Sequence, residues 1–106
     1  MSPRVQIENI EDMRRREGIE DVELRQAIRC LQVGGLVRLT FLPTMAGCAG
    51  ETLVVRITSI RGDAFRGKLA SEPASAGLAE LRVGLALAFA GCHIHSLAKA
   101  RPARHE

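Results

Sequence analysis

The residues best suited to chemistry in this 106-residue chain lie together in Cys92-His93-Ile94-His95-Ser96. Imidazole nitrogens and thiolates are the usual ligands of zinc, and a zinc site takes three or four of them. On a strand, His93 and His95 point to one face while Cys92 and Ile94 point to the other. Two histidines are therefore available to a metal, with Cys48 or Glu51 as the residues that would have to arrive from elsewhere. The competing expectation is structural: His93 caps a turn, and His95 is solvated or bonded to backbone. The sequence calls for no cofactor.

Two other groupings fall short of catalysis. Glu51 and Asp63 resemble an acid/base pair, but about ten residues of extended chain separate them, so a hairpin turning at Gly62 puts them at opposite ends. Asp63 suits the turn itself, and Glu51 is expected to pair with a neighbouring arginine. Cys48 in Met45-Ala-Gly-Cys-Ala-Gly-Glu51 is a candidate loop nucleophile without a nearby His or Asn, and a thiol needs an electropositive site to be reactive. A non-catalytic protein is the expectation.

The last grouping is basic. Arg38, Arg56, Arg66 and Lys68 fall on outward strand positions and Arg61 on a turn, a face that suits phosphate. Phe41, Phe65 and Phe89, the three aromatic residues of the chain, all fall on the inward phase. No ring is left for stacking on bases, so contact limited to the nucleic-acid backbone is the alternative this pattern supports.

Composition sets the frame for these residues. With 46% hydrophobic and 25% charged residues, the chain falls in the range of one soluble domain with a single core. The first twenty residues lack the apolar region of a signal peptide, and the longest apolar runs fall well short of the ~18 residues of a membrane helix. Cys30, Cys48 and Cys92 are odd in number and widely spaced, so reduced thiols acting as small apolar fillers are expected, and with them a cytoplasmic location without membrane contact. The net charge of +3 is uneven: residues 1–35 hold seven acids and six bases, residues 36–106 five acids and nine bases. Arg14 to Arg16 read as a solvated helix face balanced by Glu11, Asp12 and Glu17.

Helical spacing is confined to the first third. A short helix is expected from an Asn9 N-cap through Arg16 or Glu17, anchored by Ile10 and Met13 and stopped at Gly18. A second carries Leu24, Ala27, Ile28 and Leu31 on one stripe, with Glu20, Asp21 and Glu23 at its start, Arg25 and Arg29 near its end, and Gly34 and Gly35 as its stop. The period then changes from 3.6 to 2. Val37, Leu39 and Phe41 alternate with Arg38 and Thr40 before Pro43 closes the strand. Thr52 to Ile60 is apolar on both sides, Leu53, Val55 and Ile57 against Val54 and Ile60, which predicts a central strand whose second face is covered by a helix or a partner. Arg61-Gly-Asp-Ala64 is a tight turn into a strand with Phe65, Gly67 and Leu69 inward. Ala70 to Glu80 reads as the long connection. Leu85, Leu87 and Phe89 then oppose Ala86 and Ala88, and Gly91 marks a bulge before a short strand Cys92 to Leu97.

One phrase occurs twice: Leu31-Gln-Val-Gly-Gly and Leu81-Arg-Val-Gly-Leu each lead into a strand. Glycine supplies a sharp entry, and the preceding Leu and Val are expected to plug the end of a core. About five short antiparallel strands with tight turns predict an α+β fold, mainly β. The expected form is a small SH3-like or OB-like half-barrel preceded by one or two N-terminal helices that pack over an open end. A flat sheet crossed by the helix is the alternative. The expected organisation is one domain, with a helical extension over 8–33, a barrel over 35–97 and a disordered basic tail over 98–106.

From Gly50 to Pro73 the residues resemble a group of small bacterial domains of unknown function. The shared phrase is carried by Gly50, Glu51, Val55, Ile57, Gly62, Asp63, Phe65, Gly67, Leu69, Glu72 and Pro73, with Gly84, Phe89, His93 and Ile94 matching a later part. The resemblance covers about residues 31–97. Members often carry Trp after Gly-Glu, where this chain has Thr52 and Leu53, and Asp after the later Gly, where it has Gly35 and Leu85. The resemblance implies a barrel-like fold. Some members look like components of toxin and immunity systems, which brings no catalytic residue to this chain. The functional expectation is an interaction module that binds a protein partner or itself, motivated by the doubly apolar Leu53 to Ile60 and the small-residue face of Leu85 to Phe89.

Overall fold

Asn9 begins the first helix as its side chain predicts. In the computed structural model, which describes residues 5–18, 22–43, 50–74, 78 and 81–98, its Oδ1 accepts the Asp12 N–H at 2.9 Å. Helix α1 runs Ile10–Arg16, and Gly18, at φ +75°, follows its end. Helix α2 spans Val22–Arg29. It ends short of the expected glycine stop, because Leu31 to Gly35 are used in a turn that docks on the sheet. Cys30 is exposed just beyond α2, not the apolar filler expected of it. Cys48 lies outside the described residues.

The strands are β1 (Val5–Ile7), β2 (Leu36–Pro43), β3 (Glu51–Arg61), β4 (Ala64–Leu69), β5 (Ala86–Ala90) and β6 (Ile94–Ala98), with a 3-10 turn over Gly91–His93 between the last two. β2 to β5 form an antiparallel meander, and β6 returns to pair with the first half of β2 while β1 pairs with its second half. A meander whose last strand pairs with its first makes a small, nearly closed barrel, so the fold is α+β, mainly β, with N-terminal helices, as expected. The strand expected from Cys92 begins only at Ile94. Ala98, expected to open the frayed tail, pairs with Leu36, and residues 99–106 lie outside the described residues. No described helix is long and apolar enough to cross a membrane.

The period-2 residues fill the interior. Val37, Leu39, Phe41, Leu53, Val55, Ile57, Phe65, Leu69 and Phe89 are buried in one cluster, and the Phe65 and Phe89 rings stack with centroids 5.5 Å apart. Leu78 and Leu81, embedded in a connection of small residues, belong to the same cluster. A register shift between Ile57 and Ser59 changes the reading of β3. The extra residue returns Ile60 to the inner side, opposite Phe65, where it packs on the core. The second face of β3 carries exposed Thr52, Arg56 and Thr58 beside a half-buried Val54, and none of the described helices covers it.

The repeated phrase builds one turn twice. The Gly35 N–H donates to the Gln32 carbonyl and the Leu85 N–H to the Arg82 carbonyl, both at 3.0 Å. Gly34 and Gly84 sit at φ +94° and +92°, the third position of a type II turn, which requires a positive φ. Each turn then docks alike: the Gly34 and Gly84 N–H groups donate to Ile57 and Leu69, whose own N–H groups return to Gly35 and Leu85. Because Leu36 pairs with Arg56, Arg56 with Lys68 and Lys68 with Ala86, the two turns are related by a pseudo-two-fold axis through the Arg56–Lys68 pair. Leu81 plugs the core as expected and Leu31 packs against it. Val33 and Val83 do not: they stand 64% and 54% exposed at the turn tips.

Candidate interaction edge and basic face

Strand order leaves one side of β5 without a strand neighbour among the described residues. The Leu85 carbonyl accepts the Leu69 N–H and the Gly91 N–H donates to Asp63, so odd-numbered residues here turn their backbone toward β4. By the alternation of an antiparallel ladder, Ala86, Ala88 and Ala90 turn theirs away. The Ala90 N–H is satisfied by His93 Nδ1 at 2.9 Å. Ala86 and Ala88 meet no strand on that side among the described residues, and β5 carries neither charge nor proline, the usual guards of an edge.

His93 therefore does what the structural expectation said: it folds back from the 3-10 turn onto a backbone N–H. His95 Nδ1 lies 3.0 Å from Ser96 Oγ. With His93 on the turn and His95 on β6, the shared strand face expected of them is lost. Among the described residues no group of three or more His, Cys, Asp or Glu side chains converges as metal ligands do. Burial holds the His93 imidazole below its ordinary value of 6.5, with the Asp63 carboxylate opposing in part. Only the unprotonated nitrogen accepts the Ala90 N–H. The unfolded chain then takes up a proton at higher pH than the folded one, so the stability His93 contributes is whole above ~6.5 and is lost as pH falls through the folded value. Thermal unfolding followed between about pH 7.5 and about pH 5 is expected to show that fall, and His93→Ala to flatten it.

The thiol of Cys92 is pushed up by burial first and then by Asp63 and Glu11. It stays mostly protonated at neutral pH, so it reacts slowly with electrophiles and is not an activated nucleophile. Glu51 accepts the Ala74 N–H with both carboxylate oxygens, at 2.9 and 3.0 Å. That contact ties the 70–74 segment to the start of β3, and Asp63 sits at the other end of the strand.

The five basic residues do not form one site. Arg38 is committed to β6, donating to Leu97 O at 2.9 Å and to Ser96 Oγ at 3.2 Å. Arg56 and Lys68 are exposed and directly opposed across β3 and β4, with Arg66 exposed on the same outer side beside Ala88. Arg61 is exposed at the end of β3, next to the Gly62 turn. Like charges directly opposed destabilise a sheet, and among the described residues no acid stands within salt-bridge distance of Arg56, Arg66 or Lys68. The three phenylalanines are all buried, as expected. Sequence reasoning missed the free edge, since no local pattern reports which strand is outermost.

Compared with family models, curated proteins and solved structures, the chain matches none.

Proposed function

We propose that the chain is a non-catalytic, cytoplasmic interaction module that associates through the edge of β5, its occupant being the same edge of a second copy. The observation that carries this is the outward backbone of Ala86 and Ala88 on a neutral strand that has no strand neighbour on that side among the described residues. A two-fold axis through Ala88 sets Ala88 of one copy against Ala88 of the other and Leu87 against Phe89, with no charges opposed. The free thiols of Cys30 and Cys92 suit the cytoplasm. The Gly50 to Pro73 phrase supports kinship with the small bacterial domains it resembles. Sedimentation equilibrium tests the association: a concentration-dependent dimer, abolished by Ala88→Pro, is expected, and a strict monomer at all concentrations rejects it. An extended segment of another protein adding to the same edge is the reading left if the chain is monomeric and such a segment binds.

The opposed Arg56 and Lys68 favour a second reading, sequence-tolerant contact with nucleic-acid phosphates. Retention on RNA or DNA is expected to collapse with added salt and to weaken in the Arg56→Ala, Arg66→Ala double variant. Retention that is absent or indifferent to salt removes this reading.

A further inference from the structure

Helix α1 rests on the 3-10 turn and α2 on β6, and between them lies a cavity of about 370 Å³ that the β5 edge does not use. Its apolar lining comes from both layers: Ile10 and Ile94, each 1% exposed, with half-buried Leu24 and Ile28. Among the described residues its polar lining is Arg14, Arg15, Arg25 and Glu11, three guanidiniums against one carboxylate. Arg14 is occupied in joining the helix to the barrel, donating to the His95 carbonyl at 3.2 Å. The other two are loosely held. Arg25 lies 3.9 Å from Glu11 and Arg15 3.6 Å from Asp12, both beyond a good charged hydrogen bond, and their side chains are 50% and 72% exposed. Exposed pairs of this length contribute little, so a better acceptor displaces them at small cost.

We propose that the cavity binds a small anionic amphiphile, an aliphatic chain ending in a carboxylate, with the chain among Ile10, Leu24, Ile28 and Ile94 and the carboxylate between Arg15 and Arg25. The volume is near the lower end for small-molecule sites, which run from about 300 to about 1,000 Å³. A carboxylate matches the planar donors of arginine in a way that a single exposed Glu at 3.9 Å does not. Gly91 adds no side chain to the space, and a Cβ there would stand 2.5 Å from Asp63 Oδ1, so that carboxylate would have to move aside. Cys92 lines the same space and adds a soft apolar wall. Binding involves no covalent step.

The cysteines make the test internal. Cys92 lines the cavity and Cys30 is exposed outside it, so alkylation by iodoacetamide, read peptide by peptide, compares a covered thiol with a reference on the same molecule. Octanoate, below its micellar range and at about four times its dissociation constant, is expected to slow Cys92 about fivefold and leave Cys30 unchanged. Octylamine and acetate, lacking the charge and the chain respectively, are expected to protect neither. The Arg15→Ala, Arg25→Gln variant is expected to lose octanoate protection, its Cys92 rate with octanoate equalling its own rate without it. Equal protection by octanoate and octylamine overturns the anionic ligand. If Cys92 alkylates too slowly to follow, the Ile10, Ile28 and Ile94 methyl resonances take its place, and their failure to shift with octanoate overturns the site.

Discussion

Replacing Gly67 by alanine is expected to cost the fold about 3 kcal/mol or more, the upper end of what overpacking a core does. Gly67 faces inward on β4, opposite Ile57 and next to the register shift of β3. A Cβ there would stand 2.6 Å from the Arg56 carbonyl oxygen and 2.7 Å from Val55 Cγ1. The first neighbour is backbone, which cannot rotate away. Glycine and the bulge together let β3 and β4 curl at this point, the device by which a sheet turns into a barrel. Urea unfolding monitored by circular dichroism checks the loss. A Gly67→Ala protein as stable as the parent would mean that the strands are not pressed together there.

Ala88→Pro is expected to abolish self-association while costing the fold little, and the contrast between the two effects is what gives the variant its value. Proline removes one backbone N–H, and in β5 the Ala88 N–H is one that faces away from β4. An edge strand tolerates proline where that group faces outward, and the preceding Leu87 already has the extended backbone that a following proline demands. Leu87→Pro supplies the control: the Leu87 N–H belongs to the β4 ladder, so its loss should unfold the barrel. Loss of the dimer with a preserved fold in Ala88→Pro assigns the contact to the edge. A dimer that survives Ala88→Pro assigns it elsewhere.

Period was a sound guide wherever one residue in two is buried, as in Val37, Leu39 and Phe41 or Phe65, Gly67 and Leu69, because a solvated face opposite a core leaves that trace. Asn9 was legible for a different reason: its cap is a local bond. What stayed hidden was set by contacts distant in sequence. Ile60 looked like the far side of β3 because a bulge leaves no mark in an alternating pattern. Leu31 continued the apolar stripe of α2, yet the type II turn that follows it and the bonds of that turn to Ile57 took it out of the helix. His93 alternated well enough to read as strand, while its ring is held by Ala90. Val5–Ile7 is too short to show a period, and its pairing with Phe41 to Pro43 is a matter of topology. The repeat itself was visible as a phrase. Its meaning, two equivalent turns about the Arg56–Lys68 pair, needed the register.

Residue-resolved amide exchange at increasing protein concentration addresses the β5 edge most directly. In dilute solution the Ala86 and Ala88 amides should exchange rapidly while those of Leu87 and Phe89, bonded to β4, are protected; as concentration rises, Ala86 and Ala88 should slow and Leu87 and Phe89 should not change. Ala86 and Ala88 amides that exchange at one rate at every concentration, or that are already protected in the dilute monomer, would contradict an open edge awaiting its twin.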